Sequence, residues 1–78
     1  PPVQEMSDAR MAIAVAREAG AAQLAPTQMR AAESLLSSAQ RNLSERAYSQ
    51  ARNNAIEAKT RAFEALANAE STGNRNLR

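Results

Sequence analysis

A chain of 78 residues has room for one small domain, leaves much of its surface in water and cannot hold a deep active-site cavity. Hydrophobic content is 44%, but nineteen of those residues are alanine, so the core is thin and close helix packing or a partner must supply some of the stability. Ten Lys+Arg against eight Asp+Glu, evenly interleaved, give a net charge of +2, too mild for a nucleic-acid or acidic-membrane binder, and with no cysteine there are no disulfides.

In chain order, the first amphipathic run, about 3–19, puts Met6, Ala9, Ile13 and Ala16 on one helical face, with Ser7, Arg10, Arg17 and Glu18 opposite. Glu5 and Asp8 favour its positive N-terminus, and Pro2 is tolerated at its start. Gly20 then stands where a left-handed residue stops a helix without steric cost. Pro26 lacks an N–H and restrains Ala25 to extended conformations, so no continuous helix passes both signals. Leu24 is the expected apolar plug of this break, and either Ala25 or Thr27 caps the next helix.

The second run, 26–43, carries Met29, Ala32, Leu36, Ala39 and Leu43 at alternating steps of three and four, widened by Leu35, while Arg30, Glu33, Ser37 and Arg41 face away. Ser44 is the expected N-cap of a third helix over 45–70, although without a Gly or Pro at that turn one long helix from 26 to 70 is the alternative. The third run holds Tyr48 and a seam of Ala51, Ala55, Ala58, Ala62, Ala65 and Ala69, flanked by Ile56, Phe63 and Leu66. Small residues on such a seam let helix axes approach closely. Residues 71–78 lose periodicity and read as a flexible, disordered tail. The fold expected from this pattern is all-α: an antiparallel three-helix bundle in a single domain, 1–70.

The residues Met6, Ala9, Arg10, Ala12, Ile13 and Ala16, then Ala19-Gly20-Ala21 and Leu24-Ala25-Pro26, form a pattern that resembles the bacterial domain-of-unknown-function family four-three-nine-eight. The spaced alanines of the second helix and Tyr48-x-x-Ala51 extend the likeness over roughly residues 2–70. The resemblance implies a small helical domain of a Gram-negative envelope lipoprotein, some of which precede a peptidoglycan-binding domain similar to that of outer membrane protein A. It further implies a periplasmic location and a lipid anchor whose cysteine is absent from this chain, with Pro1-Pro2 as the remnant of a linker. Family members commonly carry Gly-Asp before the tyrosine of the last helix, where this chain has Arg46-Ala47, which implies a helical second turn in place of a glycine-based one. The resemblance carries no activity and no transferable site residues.

The residues themselves argue against catalysis. Without His or Cys there is no ordinary proton shuttle near neutral pH, no Ser-His or Cys-His nucleophile and no soft metal site. Gly20 and Gly73 stand alone, so there is no glycine-rich phosphate loop. Glu57 and Glu64 share a helix face, but an outer one that desolvates nothing, and Glu57 to Arg61 is a favourable i, i+4 pair. Arg41 and Arg46 flank the second turn, and Arg52 with Lys59 forms a basic row whose stems lie along the seam. With Tyr48 and Phe63 the only aromatics, a base-stacking role is disfavoured. Tyr48 reads as a packing residue at a helix start, and Met6 and Met29 as core fillers.

Met11 and Val15 project from the first helix away from Met6 and Ile13, one turn apart, as a docking strip for a partner or a second copy. With Arg41 and Arg46 they are the candidate partner contacts; catalytic, cofactor and metal sites are expected to be absent. No apolar run reaches the roughly 20 residues of a bilayer span and no signal-peptide layout opens the chain, so the expectation is a mature or trimmed soluble chain. The expected function is a non-catalytic helical interaction or spacer module of the cell envelope, with a protein partner or self-association, no nucleic acid, and membrane contact only through the anchor. The alternative is a tetratricopeptide-like adaptor or chaperone that binds a helical peptide, suggested by Leu36, Ala39, Tyr48, Ala51 and Ala55.

Overall fold

Four helices and no strand make up the described residues of the protein, 1–76 in a computed structural model, with side chains described through Thr72. Helix α1 (Val3–Glu18) opens on Pro2, whose carbonyl accepts the Met6 N–H at 3.0 Å and whose side chain is fully buried. It buries Met6, Ala9, Ala12, Ile13 and Ala16, the stripe read from the spacing plus Ala12.

The break after α1 works as its residues predict. Gly20 has φ +87°, its N–H donates to the Arg17 carbonyl at 3.0 Å, and the chain turns out of the helix. Between this turn and Pro26 lies an element that periodicity does not disclose: a one-turn helix, α2 (Ala21–Leu24), held by Gln23 and Leu24 N–H groups donating to the Gly20 carbonyl. A single turn has too few residues to show a repeat. Ala21 is fully buried and Leu24 lies half-buried against the core beside it. Ala25, φ −142°, is the N-cap of α3 (Pro26–Ser44), which settles the choice against Thr27, and Pro26 takes the first helical position, where its missing N–H costs nothing.

The second connection departs from expectation. Ser44 does not cap a following helix: it is the last residue of α3, and its hydroxyl donates to the Arg41 carbonyl at 2.8 Å. Arg46 adopts φ 61°, its N–H donates to Leu43 O at 3.0 Å and that of Ala47 to Asn42 O at 2.8 Å. These two bonds close a Schellman turn, which ordinarily uses glycine at the left-handed position. The chain therefore keeps a glycine-type turn with an arginine in it, neither a helical turn nor one unbroken helix from 26 to 70. Helix α4 (Tyr48–Asn76) begins three residues later than the expected 45 and ends inside the stretch 71–78 read as a tail, whose last positions, 77–78, lie outside the described residues.

The interior is almost all methyl groups. Thirteen of the sixteen buried hydrophobic residues among those described are alanine, the others being Met6, Ile13 and Met29. They form two clusters: late α1, α2, early α3 and late α4 share one, while early α1, late α3 and early α4 share the other. Leu36 touches both and joins them. Helix α4 packs against all three other helices, and its six seam alanines are at most 1% exposed.

Candidate interaction surface

With so much alanine inside, large apolar side chains are left outside. Met11 (65% exposed) and Val15 (44%) form one wall of a groove of about 230 Å³ between α1 and α4. Phe63 (48% exposed) and Lys59 form the opposite wall, with Asp8 and Ala12 beside Met11. The two α1 residues are placed by an i, i+4 step on a helix whose buried stripe points elsewhere. Ile56, 49% exposed, stands two turns before Phe63 on the same face of α4. The Lys59 ammonium sits over the Phe63 ring, 5.8 Å from its centre, and covers part of that apolar surface.

This groove unites the predicted pair Met11 and Val15 with Phe63 and Lys59, which by spacing alone belong to the seam's flank and to a basic row. The i, i+4 step from Lys59 to Phe63 is the signal in the sequence that links them. Arg52, the other member of that row, reaches Glu5 of α1 instead, Nε to Oε2 at 3.6 Å. The remaining candidates, Arg41 and Arg46, lie at the α3–α4 turn, away from the groove; Arg41 reaches Ser38 Oγ at 3.3 Å, and Arg46 holds the left-handed turn position.

The carboxylates Glu57 and Glu64 are brought together only through a cation. Arg61 stands between them, 3.6 Å from Glu57 and 3.1 Å from Glu64, with all three side chains close to half exposed. Sharing one guanidinium, which offsets only one of their two charges, and open to water, the two carboxylates lie in no dry pocket. A second cleft, about 400 Å³, lies between α1 and α3 over Ile13 and Leu36, spanned by the Arg17–Glu33 ion pair. No polar or charged side chain is buried among the described residues, and none of their His, Cys, Asp or Glu side chains form a metal-holding group of three. No described helix is long and apolar enough to cross a membrane.

The sequence profile of the family described as Domain of unknown function (DUF4398) matches residues 4–76, nearly the whole chain. No curated protein and no solved structure matches it.

Proposed function

This chain belongs to the DUF4398 family, and from that membership together with the form of its surface we propose that it is a non-catalytic interaction or spacer module of the bacterial cell envelope. The working body is an antiparallel three-helix bundle of α1, α3 and α4, with α2 as a buckle between the first two. The grouping of early α1 with late α3 and early α4 supports that arrangement. The observation that carries the functional reading is the division of side chains. Alanine fills the interior, while Met11, Val15, Ile56 and Phe63 stand at the surface. Such a body has its recognition chemistry on an outer face, because an interior of methyl groups in contact has no space for a substrate.

The periplasmic setting, as part of an outer-membrane lipoprotein, is the one that the sequence resemblance implies. Fractionation of cells producing the native full-length protein tests it: recovery in periplasmic or outer-membrane fractions is expected, and recovery in the cytoplasm sinks it. Complementation tests the non-catalytic part. Glu57→Gln with Glu64→Gln is expected to leave a deletion phenotype fully rescued, whereas Met11→Asp with Val15→Asp abolishes rescue. The reverse pattern would put the carboxylates in charge and overturn the reading.

A further inference from the structure

We infer that the α1/α4 groove is the contact surface for a second copy of this chain, a deepening that rests on the interaction-module reading above. Of the six large hydrophobic residues exposed among the described residues, Met11, Val15 and Phe63 line this one groove, and Ile56 stands two turns before Phe63 on the same side of α4. A contiguous apolar strip of that kind on so small a body marks a binding surface. Its two rims differ in sign: Asp8 lies on the α1 rim and Lys59 on the α4 rim. Asp8 accepts a hydrogen bond from Gln4 at 2.8 Å, and among the described residues neither Asp8 nor Lys59 is in an ion pair.

A two-fold axis running along the groove exchanges the rims. It lays α1 of one copy over α4 of the other, Met11 and Val15 against Phe63, and Asp8 beside the second copy's Lys59, and the reciprocal pair follows by symmetry. Opposite rims thus make the face complementary to itself. Size permits it: a stable dimer buries roughly 800 Å² per partner, while the protein exposes 4955 Å² and measures 49 Å along its length and 19 Å across. The interface must therefore follow most of the molecule's length, beyond the ends of α1, with the apolar residues at its centre and the charges as its rim.

Sedimentation equilibrium of the 78-residue chain tests the inference. A reversible monomer–dimer equilibrium is expected for the unaltered protein. Asp8→Lys and Lys59→Asp each make both rims alike, which is expected to weaken self-association by about tenfold. Mixed together, the two variants are expected to form a heterodimer as tight as the unaltered homodimer, because each supplies the sign the other lacks. Circular dichroism checks that both exposed substitutions leave the helices intact. A readout independent of variants is the dilution of isotope-labelled protein, with amide shifts expected at Met11, Val15, Lys59 and Phe63. A chain monomeric at all concentrations overturns the inference, as do single variants that dimerise like the unaltered protein. So does a monomer that takes up an amphipathic helical peptide in this groove. Cytoplasmic recovery in fractionation would sink the envelope role and leave the dimer standing, so the two failures are distinguishable.

Discussion

Gly20 and Arg46 occupy the same backbone region, φ +87° and φ 61°, at the ends of successive long helices, and substitution should move stability in opposite directions at the two sites. A left-handed conformation costs a residue with a Cβ roughly 1–2 kcal/mol, whereas glycine's freedom in the unfolded chain costs about 0.4–1 kcal/mol relative to alanine. At Gly20 an added Cβ would meet only Leu24 Cδ1, at 3.6 Å, an ordinary contact, so the backbone term stands alone. Gly20→Ala should therefore destabilise by about 1 kcal/mol, and Arg46→Gly should stabilise by a similar or slightly smaller amount. For a domain of this size that is a shift of about 4–8 °C in Tm per kcal/mol. Arg46→Ala is the control: it removes the charge, keeps the Cβ in the left-handed region, and should leave Tm nearly unchanged. Thermal denaturation followed by far-ultraviolet circular dichroism gives all three values. If Arg46→Gly failed to stabilise, or Arg46→Ala stabilised as much as Arg46→Gly, strain at this turn would not be the cause.

Further predictions concern the interior. Ala62→Leu introduces three carbons at a position with 0% exposure on the α4 seam, and overpacking should cost about 1–3 kcal/mol. Ala67→Leu, on the exposed face of the same helix, should lie within about 0.5 kcal/mol of the unaltered protein by urea denaturation; equal losses at the two sites would mean the seam is not close-packed. Met29, 2% exposed in the larger cluster, should lose about 2–5 kcal/mol on truncation to alanine, enough to shift the denaturation midpoint strongly, and a loss below about 1 kcal/mol would refute its role as filler.

The long elements are legible in the sequence because alanine and leucine repeat at steps of three and four over many turns, and because Gly20 and Pro26 act through the backbone alone. The α3–α4 turn is not. Nothing in Ser44-Glu45-Arg46-Ala47 marks a left-handed residue, and a Ser followed by Glu imitates a helix start, so Ser44 reads as a cap, a role that its hydroxyl does not perform. Tertiary contacts decide that turn: with α3 and α4 both packing their alanine stripes, the chain must reverse, and arginine bears the conformation that glycine would hold more cheaply. The groove is half legible. Met11 and Val15 are set apart from their helix's stripe by angle alone, but pairing them with Phe63 and Lys59 requires knowing how α1 lies on α4, which no local spacing encodes.

The same alanines that fill the interior explain why the large apolar side chains stand at the surface. A methyl side chain buries little area, so each one adds little hydrophobic stabilisation, yet six along α4 allow the neighbouring helices to approach closely and bring many weak contacts together. Leucine or phenylalanine in those positions would force the axes apart. Phe63 and Ile56 consequently have no place inside and are carried beside the seam, where Phe63 shares the groove with Met11 and Val15 on α1. A thin core and an exposed apolar groove are two results of one packing choice, and covering that groove returns to the protein the burial that its interior lacks. On that argument stability should rise with protein concentration, since association favours the folded state by mass action. Melting curves at increasing concentration should move to higher Tm for the unaltered chain but stay fixed for Phe63→Glu, and a Tm independent of concentration in both would break the link between core and groove.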